Sequence, residues 1–478
     1  MDEPRVTRGT LPANQGGNDP YDTGVNAEHY LSLIEPRGDV ETPSDLADEI
    51  VEQIFQVLRY VPESDTFVGW NGRKFEPNVL HILRFNIRML GKNAHNRVSL
   101  KKLKGVKFIN DSVSLLKDDP RIRTSSSDFD ANAYELNTPN GIINLRTGKL
   151  SPHHGPRLVT KLTRCSPREE RCERFHQFLE EITGSDEELQ EYLQVILGAC
   201  LSGSPEAHWM AFIYGPTRSG KSVMVELIAH ILGDYAHRDD GKLFRKNSND
   251  ADANPKLAAL MGKRLVIASE VDHGHFDDIM IKQLTGDSHI TTRALYQNVV
   301  TFSRSFKIIA VGNSIPSSSE TSRALEARLK IVPFKESFLG KEDDELGNKL
   351  RQESTAGYVL HWLIQGHVKY LNLGRKLPQC SQVLGATREY FSDQGTPSQW
   401  LHERCVLDDG LKPASCYAQV KHVYADYCLW KEERGEKSLA QKRFLSALPN
   451  LHTRKSSAIR LIGVHLKDPL PTRMGDWD

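Results

Sequence analysis

The feature that most constrains this chain is an octapeptide. Gly215-Pro216-Thr217-Arg218-Ser219-Gly220-Lys221-Ser222 fills every fixed position of the pattern G-x-x-x-x-G-K-S. At ordinary residue frequencies such a match arises by chance in a chain this long on the order of once in a hundred. Its neighbours tighten the constraint. An apolar run, Trp209–Tyr214, leads in, and Val223, Met224, Leu227, Ile228 and Ile231 follow at helical spacing until Gly233. A strand, a glycine-rich turn and a helix in that order bring main-chain N–H groups to the positive end of the helix, where they can cradle phosphate. Lys221 is then the cation that reaches the outer phosphates, and the Ser222 hydroxyl is a ligand for Mg²⁺. Residues Gly215 to Ser222 together form a candidate nucleotide site for ATP.

The surroundings have the pattern such a loop requires. Between 208 and 334, short apolar runs (Trp209–Tyr214, Leu265–Ala268, Phe306–Val311 and Leu329–Val332) alternate with helical stretches, which predicts a parallel α/β sheet. The strand at Arg264–Ala268 ends in Ser269-Glu270, with Asp272 two residues on. A carboxylate at the end of a neighbouring strand is what a phosphate loop needs to manage magnesium and water. Glu270 is therefore the candidate catalytic and metal-binding acid, and Asp272 either shares the metal or is a turn residue. Ala310-Val311-Gly312-Asn313 closes the next strand with an amide that can orient an attacking water without perturbing the acid. As a bare sequence element it is equally a turn asparagine.

Composition bounds the rest. A chain of 478 residues with 26% charged side chains suggests two to four domains. No apolar run is long enough to span a membrane, and the polar first 25 residues are not a secretory signal. Seven cysteines without a C-x-x-C pair argue against a structural zinc and fit reduced thiols in a cytoplasmic, cytosol-like compartment. Lys+Arg 62 against Asp+Glu 62 conceals an asymmetry. Residues 1–50 carry eleven acids against three bases, so the remainder is basic by eight, which leaves room for a polyanionic partner. The expected division is a disordered tail (1–25), a mainly helical accessory or collar region with short hairpins (26–202), the ATPase core (203–345), a helical connector (346–396) and a small basic domain (397–478). Phe67–Phe75 predicts a hairpin turning at Asn71-Gly72, and Leu136–Pro156 predicts further short strands around Asn140-Gly141 and Thr147-Gly148.

Taken in order, these motifs resemble those of superfamily 3 helicases of the phage/plasmid primase-helicase and poxvirus primase-helicase type. Lys256–Arg264 precedes the acidic strand; Ile281–Asp287 and Arg293-Ala294-Leu295-Tyr296 lie between acid and amide. Gly312-Asn313-Ser314-Ile315-Pro316 and Ala327–Phe334 close the set. Upstream, Trp70-Asn71-Gly72 and Leu136–Gly148 resemble the family's accessory region, so the likeness covers about residues 50–470. Two positions depart from the pattern: Ala327 stands where a first arginine is common, and Val271 separates the acids. The resemblance implies an AAA+-like P-loop core. It also implies a homo-oligomeric, hexameric ring with ATP at its interfaces, translocating 3′ to 5′ on single-stranded DNA and opening forked DNA. Origin DNA and replication proteins are implied partners; a membrane is not.

Residue roles follow from the same resemblance. Thr291–Lys307 corresponds to a hairpin projecting into the ring, with Arg293, Arg304 and Lys307 offered to phosphates and Tyr296 to a base. Arg328 is the expected arginine finger, with Arg323 as its competitor. The tail from 397 reads as a winged-helix-like domain: Tyr417, Val420, Val423, Tyr424, Tyr427 and Trp430 form a core stripe, and Ser438 caps a second helix. A wing follows over Arg454–Leu466, and residues 431–460 carry eight bases against three acids. Asp128-Phe129-Asp130 has the form of a two-metal polymerase motif but lies before a turn-rich segment, not inside a run of strands. Two rivals to a helicase remain: a nucleotide-gated origin- or partner-binding ATPase, and a protein that captures host replication machinery.

Overall fold

The computed structural model describes residues 40–93, 105–153, 156–244, 255–269, 271, 276–293, 299–316, 323–341, 343–393, 396–407, 417–433, 438–448, 453–455, 459–462 and 464–467. Helix α1 (Pro43–Ile54) starts at a capping box, in which the Thr42 hydroxyl accepts from Asp45 N and the Asp45 carboxylate accepts from Thr42 N. Strands β1 (Leu58–Val61), β2 (Thr66–Trp70) and β3 (Phe75–Pro77) form an antiparallel sheet. Its turn is the expected one: Asn71 Oδ1 accepts from Arg73 N and Lys74 N, and Gly72 takes φ 96°, where a side chain is disfavoured. Helices α2 (Leu80–Asn93) and α3 (Val106–Asp118) cover this sheet, with Ile50, Phe67, Trp70, Phe75, Leu83 and Leu116 in their shared core.

Strands β4 (Glu135–Thr138), β5 (Gly141–Asn144) and β6 (Lys149–Ser151) make a second antiparallel sheet, followed by α4 (Glu173–Thr183) and α5 (Glu187–Ala199). The Asp-x-Asp pair just before them is structural. Asp128 closes a cap on Ser125, and Asp130 accepts from Thr160 through its N–H and its hydroxyl.

The centre is a parallel sheet. Its elements are β7 (Met210–Tyr214), α6 (Lys221–Leu232), β8 (Ala236–Asp239), α7 (Pro255–Ala258), β9 (Leu265–Ala268), α8 (Asp278–Gly286), β10 (His289–Arg293), β11 (Val299–Ser303), β12 (Lys307–Gly312), α9 (Arg323–Arg328) and β13 (Leu329–Pro333). The order is β13-β7-β12-β9-β8, all parallel, with β10 and β11 a separate antiparallel hairpin. All four strands expected from apolar runs are present. β8 was not foreseen, because an edge strand reading Ala-His-Arg-Asp has no apolar run to reveal it.

Side chains alternate across this sheet with period two. Ala211, Ile213, Ile267, Ile309 and Val311 face a core shared with α4, α5 and α6, while Phe212, Val266, Ile308 and Ile331 face α8 and the hairpin. Each buried valine, isoleucine or phenylalanine among them contributes about 1.5–3 kcal/mol. Helices α10 (Leu346–Arg351), α11 (Glu353–Asn372) and α12 (Ser381–Asp393) follow. Helix α11 crosses α5 backbone on backbone: a Cβ on Gly198 would lie 2.5 Å from His367 N, and one on Gly366 2.1 Å from Gln194 O. The accessory sheets are joined to the centre by Asn137, which is buried. Its Nδ2 donates to Arg73 O and Lys161 O, and its N–H donates to the Tyr235 hydroxyl just beyond α6.

The C-terminal part contains α13 (Thr396–Arg404), β14 (Cys405–Leu407), β15 (Tyr417–Gln419), α14 (Val420–Glu432), α15 (Gln441–Ser446), β16 (Thr453–Lys455), β17 (Ile459–Ile462) and β18 (Val464–Leu466). Trp400, Val423, Tyr427, Trp430 and Phe444 form its core, and Trp400 Nε1 donates to Asp426 at 2.6 Å. β16 and β17 pair antiparallel within the expected wing. The cap differs from expectation: α15 starts at Ala440 with no side-chain cap, not at Ser438. Lys431, counted with the basic run, is buried. Among the described residues no helix is long and apolar enough to cross a membrane.

Candidate functional site: the phosphate loop and the two ends of the sheet

In a parallel sheet every strand ends on the same side, so the turns after β7, β9 and β12 lie together. The turn after β7 is Gly215–Gly220. It enters α6 through Gly220 at φ 83°, with Arg218 also left-handed at φ 62°. Neither flanking glycine tolerates a side chain. A Cβ on Gly215 would sit 1.9 Å from Phe334 O, and one on Gly220 2.5 Å from Ile182 Cγ2. The loop is braced from behind by the end of the closing motif, Phe334, and by two residues beyond it that the sequence did not single out. Phe334 N donates to Tyr214 O at 2.7 Å, Phe338 N to Arg218 O at 2.9 Å, and the Ser337 hydroxyl to Thr217 O at 3.1 Å. No periodicity or motif marks Ser337 and Phe338, and all three lie more than a hundred residues further along the chain.

Lys221, the first residue of α6, folds back over this loop. Its Nζ donates to Gly215 O at 3.0 Å, Pro216 O at 2.7 Å and the buried Ser219 hydroxyl at 2.9 Å. It also donates to Asn313 Oδ1 at 3.3 Å, across the β7–β12 pair. Thus the structure brings together the lysine and the amide that sequence reasoning proposed for one site. Pro216, Thr217, Arg218, Ser222 and Asn313 are solvent-exposed around it. A cation, a ring of main-chain groups at a helix N-terminus and two glycines that admit no Cβ make a cradle whose sign suits phosphate. Ser222 stands on the exposed first turn of α6, where its hydroxyl can reach a metal held by that phosphate chain. Glu270 and Asp272 lie outside the described residues. The strand before them does not: β9 sits beside β12, directing Ser269 towards the same edge.

At the opposite end of the sheet stand the other candidates. Leu329 pairs with Met210 and Pro333 with Tyr214, so Arg328 precedes β13 at the far end from its own chain's loop. That is about 17 Å of strand, at about 3.3 Å per residue. The half-buried Arg328 guanidinium lies against the end of α8, where a Cβ on Gly286 would be 3.3 Å from Nη2. Arg323 opens α9, and its side chain lies outside the described residues.

The hairpin β10–β11 forms as expected, with Arg293 opposite Val299. Tyr296 and the Arg293 side chain lie outside the described residues. Its inner face is anchored by buried Ile290 and Phe302. Two of its expected DNA contacts are corrected. Arg304 is 2% exposed, and its guanidinium donates to the carbonyls of Asp287, Ala207, Phe306 and Pro205. Lys307 is 1% exposed, opens β12, and donates to Ser202 O at 2.5 Å and to the Ser202 hydroxyl. Burial lowers the pKa of both, that of Lys307 to about 7. Groups buried this deeply and turned onto their own chain's oxygens are out of reach of a phosphate backbone. Arg264 completes the set: 4% exposed, it donates to Leu201 O and Glu135 O and stacks over Tyr235.

The chain matches two family models. Residues 47–184 match one described as D5 N terminal like, and residues 213–327 match a family of unknown function (DUF5906). It is similar to a protein named "Putative helicase L207/L206" of Acanthamoeba polyphaga mimivirus, with 29% identity over 237 residues, 47% of this chain and 24% of that one. It is also similar to "Putative helicase V13" of Sputnik virophage, with 26% identity over 196 residues, 37% of this chain and 25% of that one. The chain therefore aligns with about a quarter of the length of these relatives. Among solved structures, the apo C-terminal region of NrS-1 aligns over 89% of this chain and 100% of its own, at 12% identity and a TM-score of 0.46.

Proposed function

We propose, for a chain of the phage and viral primase-helicase type, an ATP-driven DNA helicase serving replication of a phage, plasmid or other mobile element. The observation that carries this reading is the contact between Lys221 and Asn313 over a glycine-walled loop at the ends of adjacent strands. In the reading, loop N–H groups from Gly215 to Lys221 hold the β- and γ-phosphates of ATP. Lys221 exchanges its carbonyl partners for phosphate oxygens, and Asn313 orients the attacking water. Ser222 and Glu270 would hold a magnesium ion, which would supply neutralisation of charge on the phosphate oxygens. Glu270 accepts the proton of that water, and Asp272 either shares the metal or is a turn residue.

The position of Arg328 supports a role in trans. An arginine at the far end of the sheet cannot serve its own loop, but a ring of subunits would bring it to a neighbour's γ-phosphate. Such a finger contributes about a thousandfold or more in rate. The working form in this reading is a hexameric ring moving on single-stranded DNA, with the basic C-terminal domain contacting duplex.

The test is strand displacement on a forked duplex. ATP should open the fork with the wild-type chain and not with Glu270→Gln, which should still bind ATP. ATP turnover with a closed fork under all conditions would leave a nucleotide-gated binding protein instead. Mixing Arg328→Ala with Lys221→Ala subunits, each inactive alone, should restore part of the hydrolysis if the finger acts between subunits. No recovery at any ratio, with co-assembly verified, would remove Arg328 from that role.

A further inference from the structure

Three cations, Arg264, Arg304 and Lys307, are buried around one short segment, Leu201–Ala207, which links α5 to β7. Arg264 grips Leu201 O, Lys307 grips Ser202 O, and Arg304 grips the carbonyls of Pro205 and Ala207. All three are held by carbonyls and hydroxyls alone; among the described residues none forms an ion pair. Burying two guanidinium groups and an amine without an ion pair is costly, and a merely stable core would use apolar residues there. An expense of this kind, concentrated at one place, asks for a reason.

The placement of Arg304 supplies one. It is the first residue after β11, so it is the return foot of the hairpin, and its Nε donates to Asp287 O, at the hairpin's entry, at 2.9 Å. Its Nη1 and Nη2 reach across to Ala207 and Pro205, just before β7 begins at Met210. β12, which starts three residues after Arg304, is the strand paired with β7, in the register Ile308 to Met210. Strands β7 and β12 are the two whose far ends set Lys221 against Asn313. A single planar fork therefore fixes the base of the hairpin and the starting ends of the two strands that meet again at the phosphate loop.

We propose that Arg304 is a positioning residue through which nucleic acid on the β10–β11 hairpin changes the Lys221–Asn313 site at the other end of the sheet. Strands are stiff along their length, so a pull on the hairpin foot shifts β12 against β7 and alters the spacing of lysine and amide. The fork matters more than the charge: four carbonyls on three segments (Pro205 and Ala207, Asp287, Phe306) need a planar group with several fixed donors, which an ammonium cannot replace. The inference rests on the proposed hydrolysis at the phosphate loop and on nucleic acid meeting the hairpin.

The experiment uses the full chain and a single-stranded oligonucleotide, comparing wild type, Arg304→Lys and Ser305→Ala. Ser305 sits on the same foot but ties it to Lys263 O, not to the segment before β7. Arg304→Lys should keep its hydrolysis rate without DNA within about twofold and lose at least about fivefold of its stimulation by DNA, the low end of ordinary coupling between sites. Its oligonucleotide affinity should change little, and Ser305→Ala should keep its stimulation. A purely structural role would lower both rates together, and that outcome, or full stimulation in a folded Arg304→Lys, would overturn the inference. If Arg304→Lys does not melt cooperatively near wild type, Lys307→Met takes its place, because it releases Ser202 on the same segment. Full stimulation there would equally overturn the idea. A wild type whose hydrolysis ignores DNA would overturn it too. Undiminished hydrolysis in Lys221→Ala would instead overturn the reading of the loop on which it rests.

Discussion

The two ends of the central sheet hold the same kind of side chain in opposite settings. At the end where the strands finish, Lys221 donates to carbonyls of an exposed glycine-walled loop. At the end where they begin, Arg264, Arg304 and Lys307 donate to carbonyls of a segment that is itself largely buried. In both places a cation sits on main-chain oxygen. What differs is whether those oxygens can be exchanged for a ligand's. Pro216 to Arg218 face solvent, so a phosphate can take over the lysine; Leu201, Ser202 and Ala207 do not, so their cations are committed to the fold. The lesson is that a basic residue near a functional segment is evidence of anion binding only when its present partners are replaceable.

That contrast can be broken by substitution. The largest expected effect is at the open end. Lys221→Ala should lower ATP hydrolysis at least about a hundredfold, the usual loss when one preorganised donor is removed from a developing charge. Thermal melting should stay within a few degrees of wild type, since the carbonyls it leaves behind can be hydrated. If melting fell as far as activity, the lysine would belong with the committed cations.

The closed end should show the reverse profile. Arg264→Met leaves Leu201 O and Glu135 O without their donor in a dry site and removes the stacking on Tyr235. A destabilisation of about 2–4 kcal/mol is expected in denaturant melts. Unchanged stability would mean that water reaches these carbonyls and that the two ends are less different than they look.

The smallest effect is a pH dependence. Lys307 has a pKa of about 7 in the folded chain, lowered by burial, against about 10.4 for an exposed lysine. Between these values the unfolded chain carries a proton that the folded chain does not, so stability rises with pH. The slope from this one group is at most about 1.4 kcal/mol per pH unit. Lys307→Met should flatten the rise between pH 7 and 9 relative to wild type, with the difference between the two chains isolating this residue. Parallel curves would mean that Lys307 stays charged in the fold, as Lys221 must for its role.

Much of this was legible before any coordinates. The octapeptide implied a strand before it and a helix after it, because the loop works only at that junction, and β7 and α6 are where Trp209–Tyr214 and the apolar stripe from Val223 put them. The hairpin at Asn71-Gly72 and the β10–β11 pairing follow from turn chemistry and β-branched residues over a few positions. Such features are local, so adjacent residues carry them. β8 shows the limit: an edge strand borrows its stability from Leu265–Ala268 beside it, and its own polar sequence reveals nothing.

What only the tertiary structure decided was the fate of individual charges. Arginine and lysine at 304 and 307 have the composition of a phosphate-binding foot, and nothing within ten residues contradicts it. They are spent on carbonyls about a hundred positions earlier, at Ser202, Pro205 and Ala207, as Asn137 is spent on Arg73 and Lys161. The brace of the phosphate loop by Phe334, Ser337 and Phe338 is of the same kind. The residues of the loop determined their own chemistry, because glycine freedom, helix polarity and a lysine act over a few ångströms of contiguous chain. Whether a cation elsewhere faces water or carbonyl depends on which distant segment the sheet lays beside it, and the strand order settles that only when the chain is folded.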